Sequence, residues 1–233
     1  MFLLSRESIK PVGGARVGGQ HSKVELVELS KGRLAIRKIP VLGAGVFSAQ
    51  EKKQIVERWA KTLFEFRKAG LPVPRWWKAD LRLKKGLEPS FYLHYFPKEK
   101  GWTSFKNLFG LSLEKHKAVI EGIASDLGKI HKLGYAPVPP EDLWMIRMPG
   151  QERVIIDVGG LNKKNRREIE NLFDLLFRLK GPAEQIVFLK NYFKENNNEG
   201  IWKKFTGRLI RYPAILVHPE RRELYRQRLS FKP

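Results

Sequence analysis

Apolar and acidic residues alternate through Val24-Glu25-Leu26-Val27-Glu28-Leu29 nearly as a half-buried strand requires. Ser30-Lys31-Gly32 supplies a turn, and Arg33-Leu34-Ala35-Ile36-Arg37-Lys38-Ile39 returns as the partner strand of a hairpin. The pattern then changes period. Between Ala49 and Ala69, Ile55, Trp59, Leu63 and Phe66 recur at three- and four-residue intervals, which predicts a helix stopped by Gly70. Leu71-Pro72-Val73-Pro74-Arg75-Trp76-Trp77 is held extended by its prolines, and Phe91-Tyr92-Leu93-His94-Tyr95-Phe96 reads as a buried strand.

Beyond residue 112 the pattern is mainly helical. Val119, Ile123, Leu127 and Ile130 line one face of a long helix over 113–133, capped at Gly134. A proline-rich loop follows, then a hairpin around Met148-Pro149-Gly150-Gln151, a helix at about 166–179 and another over 183–194 that Asn196-Asn197-Asn198 breaks. This succession predicts an α+β protein with three parts. Residues 1–97 form a small, strand-rich portion with one helix, 98–200 a larger helical portion, and 201–233 a basic terminal segment.

Composition narrows the class. A chain of 233 residues with 42% hydrophobic residues, including 14 Phe and 6 Trp, has ample material for a packed core. Without cysteine it carries neither a disulfide framework nor a thiolate zinc site, in keeping with a reducing, cytoplasmic setting. The start, Met1-Phe2-Leu3-Leu4-Ser5-Arg6-Glu7, has only four consecutive apolar residues, so no secretory leader is expected, and no uncharged apolar run is long enough to span a bilayer. The five histidines show no metal spacing, and no zinc is expected.

Charge is the strongest compositional signal. Lys and Arg total 45 against 24 Asp and Glu, a net of +21, which predicts attraction to anionic partners: nucleic acid, a phospholipid surface or a phosphorylated glycolipid. Residues 201–233 are the most basic stretch, with nine Lys or Arg against Glu220 and Glu223. There Trp202, Phe205 and Leu209 share a helical face beside the cations, as in an interfacial segment; the same face would equally suit an ordinary packing helix.

Several residues are candidates for chemistry. The glycine-rich segment from Lys10 to Gln20, with Gly13, Gly14, Gly18 and Gly19, is read as a loop whose backbone N–H groups are able to approach phosphates closely. Arg37 and Lys38 are adjacent cations at the end of a strand, and alternation allows only one of them to face a cleft. Glu57, in the middle of the 49–69 helix, is placed either to reach back to that cation or to sit solvated on the surface. Asp157 ends the apolar run Val154-Ile155-Ile156 and is followed at once by Val158-Gly159.

The order of these parts resembles a protein-kinase-like fold, and specifically the lipopolysaccharide core-sugar kinases that phosphorylate Kdo or heptose. The resemblance runs over most of residues 10–195. It is carried by the Gly13-Gly14 and Gly18-Gly19 pairs, Ala35-Ile36-Arg37-Lys38, Ala69-Gly70-Leu71-Pro72-Val73-Pro74, Ile130-His131-Lys132-Leu133-Gly134 and Ile155-Ile156-Asp157-Val158-Gly159, with the closing helices around Asn171–Leu176 and Phe188–Phe193. It implies a bilobal fold, a small antiparallel β lobe followed by a helical lobe, binding ATP and magnesium. Asp157 takes the metal-ligand role, and Asp142, aligned through Pro140-Glu141-Asp142, takes that of the second metal ligand.

The resemblance fails at one place. Pro137 falls where the family carries its catalytic aspartate, and no acid lies between Gly134 and Pro140. Proline neither accepts a proton nor orients a hydroxyl, so nucleotide binding is expected without ordinary phosphoryl transfer unless Glu141 or Asp142 substitutes as the orienting acid. A pseudokinase or weak phosphotransferase, drawn to anionic glycolipid or lipid at the inner face of the membrane, is the expectation. The rival is a basic nucleic-acid-binding protein using the terminal segment and the Trp76-Trp77 pair, although no RRM-type aromatic motif is present.

Overall fold

The computed structural model describes residues 10–11, 16–18, 22–29, 33–41, 47–83, 88–94, 101–108, 113–137, 140–147, 152–159, 161, 167–179 and 181–211. The chain is an α+β protein that separates into two compact units, Met1–Trp102 with Val154–Gly160, and Thr103–Arg153 with Leu161–Pro233. The segment 154–160, which sequence pattern assigned to the helical portion, therefore clusters with the first unit, and the start of the basic terminal segment belongs to the second.

The first unit is built on an antiparallel sheet. Its elements are β1 (Lys10–Pro11), β2 (Arg16–Gly18), β3 (Ser22–Leu29), β4 (Arg33–Pro40), helix α1 (Ala49–Lys68), β5 (Trp77–Asp80) and β6 (Ser90–His94). The strand order is β1-β3-β4-β6-β5, with β2 also pairing to β3. The expected hairpin is β3–β4, in a register that sets Val24 opposite Lys38 and Glu25 opposite Arg37. One expectation is corrected: the glycine-rich segment is not a continuous loop, because Lys10–Pro11 and Arg16–Gly18 add as strands to β3. A strand edge leaves backbone N–H and C=O groups to be satisfied, and these flanking residues satisfy them.

Helix α1 starts where its sequence supplies a reciprocal cap. The Ser48 hydroxyl accepts from the Glu51 N–H at 3.2 Å, and the Glu51 carboxylate accepts from the Ser48 N–H at 2.8 Å. The helix ends before Gly70, whose φ of 70° is a left-handed conformation that L side chains rarely adopt. Val56, Trp59, Thr62, Leu63 and Phe66 are its buried face. Trp59 meets Phe91 of β6 edge-on, with ring centroids 6.0 Å apart, which seats the helix on one side of the sheet. On the other side, Val27, Leu29, Ala35 and Tyr92 form a core cluster against which Trp76 packs.

The second unit is mainly helical. Its helices are α2 (Leu113–Lys132), α3 (Glu168–Arg178), α4 (Pro182–Glu195) and α5 (Glu199–Arg211), and a second sheet runs in the order β7 (Trp102–Ser104), β8 (Trp144–Arg147), β9 (Glu152–Ile155), of which Trp102, Val154 and Ile155 cluster with the first unit. Helices α2 and α4 approach closely at Gly128, where an added Cβ would stand 2.8 Å from the Tyr192 carbonyl oxygen. Phe205 of α5 is fully buried, with its ring 5.3 Å from Phe173 and 5.9 Å from Phe193, and Trp202 meets Phe193 at 4.8 Å. Of the two readings of that face, Trp202 and Phe205 follow the packing one: both are spent on internal contacts, where burying aromatic surface is stabilising.

Candidate functional site

Strand register decides between the two adjacent cations. Lys38 lies opposite Val24 and Phe91, on the side of the sheet where Phe91 meets Trp59 of α1. Arg37 lies opposite Glu25 and Tyr92 on the reverse side. There its Nε donates to the Ser90 hydroxyl at 3.0 Å and its Nη1 to the Glu25 carboxylate at 3.2 Å. A hydrogen bond from Lys23, supported by the Arg37 charge, holds the Glu25 carboxyl below its ordinary range against the opposing effect of burial. Arg37 is thus part of a cross-strand ladder, and only Lys38 is aimed at the candidate site.

The Lys38 ammonium donates to the Ile156 carbonyl at 3.1 Å and to Asp157 Oδ1 at 3.2 Å. Two properties make this pair different from a surface ion pair. The Lys38 side chain is only 11% exposed while that of Asp157 is 45% exposed, so a nearly buried cation is presented to a carboxylate at the solvent boundary. Asp157 Oδ1 also accepts from the Gly159 N–H at 3.1 Å, which folds the Asp157-Val158-Gly159 turn back on the carboxylate. A Cβ added at Gly159 would be 3.2 Å from that oxygen and 3.8 Å from the Trp59 indole, so the turn rests directly against α1.

The strand leading to Asp157 is pinned by the proline segment. The Ile155 N–H donates to the Pro72 carbonyl at 2.7 Å, joining Gly70-Leu71-Pro72 to a residue two positions before Asp157. Pro72 has no N–H to offer an edge but retains its carbonyl, and that is the group used. Lys38, Asp157, Trp59 and Pro72 therefore form one local constellation, of which Trp59 was recognisable in the sequence only as a core residue and Pro72 as part of an extended segment that carries the resemblance, neither as a site residue.

Other predicted positions lie elsewhere. Glu57 is exposed on α1, on the side away from the buried face, and the described partners of both strand cations are other groups. The inward face of α1 carries Trp59 and no carboxylate. Gly18 is the last residue of β2, opposite Ser22, and Gly13, Gly14 and Gly19 lie outside the described residues. In the second unit Glu141 and Asp142 sit in a short 3-10 turn, Pro140–Asp142, with Asp142 partly buried.

Ahead of that turn, Pro137 is buried and locked. Its carbonyl accepts from Asn171 Nδ2 at 2.7 Å, Asn171 Oδ1 lies 3.1 Å from His131 Nε2, and His131 Nδ1 lies 2.7 Å from the Tyr192 hydroxyl, which in turn accepts from Asn196 Nδ2 at 3.0 Å. The donors run in one direction if His131 is neutral with its proton on Nε2. Burial pushes the His131 pKa down to about 4, consistent with that state. His131 is therefore structural.

Among the described residues, no group of three or more His, Asp or Glu side chains is arranged to hold a metal ion. Magnesium does not need one: it is commonly held by one or two carboxylates with phosphate oxygens and water completing its shell. A single boundary carboxylate, Asp157, beside a buried ammonium suits that mode. Of the aromatic pair offered for nucleic-acid binding, Trp76 packs on the sheet core and Trp77 lies beneath the Arg67 guanidinium at 3.9 Å. No protein-family model and no curated protein matches the chain. Among the described residues no helix is long and apolar enough to cross a membrane.

Proposed function

We propose that this chain is a kinase-fold protein, akin to lipopolysaccharide core-sugar kinases, that binds ATP with magnesium and does not transfer phosphate by the ordinary route. The observation that carries the reading is the Lys38–Asp157 pair: a strand lysine facing the helix side of an antiparallel sheet, matched at 3.2 Å to a carboxylate in an Asp-Val-Gly turn. In this reading Lys38 contacts nucleotide phosphates and Asp157 ligates the magnesium that accompanies them. Magnesium would supply charge neutralisation to the phosphates, while the Gly159 N–H keeps the Asp157 carboxylate oriented.

The same reading withholds catalysis. Pro137 is buried and its carbonyl is committed to Asn171, so it offers no group to an attacking hydroxyl. Glu141 and Asp142 remain the candidates for a substitute acid. The protein then acts as a pseudokinase or weak phosphotransferase, with phosphorylated glycolipid or anionic lipid as its surface partner.

Thermal unfolding with ATP, with and without magnesium, tests the binding claim. Nucleotide at about a hundred times Kd stabilises by about 2.7 kcal/mol, which for a chain of this size shifts Tm by roughly 5 to 10 °C. The shift is expected with magnesium and lost in Lys38→Met and in Asp157→Asn. An equal shift in those variants, or none in the wild type, overturns the reading. ATP turnover with Kdo–lipid A that is abolished by Asp142→Ala or Glu141→Ala would instead make the protein an active kinase and name its acid.

A further inference from the structure

The net charge predicts an anionic partner, yet two of the aromatic side chains that sequence pattern offered as its apolar anchor are turned inward. Trp202 and Phe205 of α5 pack on Phe173 and Phe193. Two aromatic side chains remain substantially exposed on described helices, Phe64 at 53% and Phe177 at 64%. Their surroundings differ in sign. Helix α3, which carries Phe177, has Glu168, Glu170 and Asp174 against Arg178 alone, and an anionic surface would repel it.

Phe64 has the opposite setting. Lys61, Phe64 and Lys68 follow one another at three- and four-residue steps on the exposed side of α1, and Lys68 Nζ lies 4.7 Å from the Phe64 ring centroid. Arg67 extends the cationic surface past the helix end, donating to the carbonyls of Pro74 and Arg75 and covering Trp77, with Arg75 itself exposed. Glu57 lies a turn below Lys61 and Glu65 is half-buried, so cations dominate this end of the helix. An exposed aromatic ring ringed by long basic side chains is the arrangement by which a surface helix enters the headgroup layer: the ring inserts and the ammonium and guanidinium groups reach lipid phosphates.

We propose that the C-terminal half of α1, centred on Phe64 with Lys61 and Lys68, is a docking surface for an anionic phospholipid bilayer. Charge complementarity selects the occupant, and the aromatic ring distinguishes a bilayer from a purely electrostatic partner, because only the former offers it an apolar layer. The inference stands independently of the nucleotide site and would survive its failure.

Co-sedimentation of the full chain with phosphatidylcholine vesicles, with and without phosphatidylglycerol, tests it. The variants are Lys61→Gln/Lys68→Gln, Phe64→Ser and, as a comparison on α5, Lys203→Gln/Lys204→Gln; all these positions are exposed, and thermal unfolding verifies that each variant folds. Wild type is expected to bind only vesicles containing phosphatidylglycerol. Removing two surface cations should weaken that binding roughly 25-fold. Phe64→Ser should weaken it about ten-fold, and the α5 pair should matter less than the α1 pair. Equal effects of the two lysine pairs, or insensitivity to Phe64→Ser, would overturn the proposal, as would retention on single-stranded RNA without vesicle binding.

Discussion

Arg37 and Lys38 are neighbours with the same charge and opposite fates. Arg37 faces Glu25, whose side chain is 13% exposed, and Ser90, so removing it strips a donor from two poorly solvated groups. Such losses cost about 1 to 3 kcal/mol each at most, and Lys23 continues to serve Glu25. Lys38 faces a carboxylate that water reaches, so its loss leaves Asp157 hydrated rather than stranded. Urea unfolding should therefore find Arg37→Met destabilised by about 1 to 2 kcal/mol and Lys38→Met within about 1 kcal/mol of wild type. The ATP-induced Tm shift should show the reverse order, surviving in Arg37→Met and vanishing in Lys38→Met. If both variants lose the shift, Arg37 contributes to the phosphate site and the assignment by strand face is wrong. Alternation along β4 made clear that these residues point apart, but which one faces α1 is decided by Phe91 and Trp59, far away in the chain.

Elements were more legible than contacts. The β3–β4 hairpin, α1, α2 and the paired helices α3 and α4 lie close to where hydrophobic period and glycine stops put them, because each buries a continuous stripe that local sequence must encode. Glu57 shows how the same pattern bears on single residues: at 3.6 residues per turn it lies about 200° around the helix from Ile55, on the side away from the apolar stripe. What the pattern does not encode is a polar link between elements. Asn171, His131 and Tyr192 come from α3, α2 and α4, and their chain of hydrogen bonds is visible only after packing. This link has a pH signature. With a folded pKa of about 4 against an ordinary value of 6.5, His131 stays neutral in the fold while the unfolded chain takes up a proton, so its contribution is complete above pH 6.5 and is lost as pH falls from there to about 4. The loss amounts to about 3 kcal/mol at the low end. His131→Gln should flatten that part of the stability–pH curve measured by urea unfolding, and an unchanged slope would show that another group carries it.

For the whole molecule, the charge of +21 acts with opposite signs on folding and on binding. Like charges held in a compact chain repel, so the folded state is penalised relative to an expanded one. Raising ionic strength shortens the Debye length from about 30 Å at 0.01 M to about 10 Å at 0.1 M, which screens that repulsion across much of the surface. Local pairs such as Arg208 with Glu170 at 2.7 Å are attractive and weaken with salt, but they are exposed and each is of small worth. The excess of 45 cationic over 24 anionic residues leaves repulsion as the larger effect. The urea midpoint of the full chain should therefore rise with sodium chloride over this range, with an unchanged m-value, while binding to vesicles containing phosphatidylglycerol falls. Chloride is the appropriate anion, since sulfate would stabilise by exclusion from the protein surface whatever the net charge. A midpoint that falls with salt would mean that the ion pairs, rather than the excess positive charge, set the electrostatic balance of the fold; the cationic end of α1 would then be a local feature rather than part of a molecule-wide field.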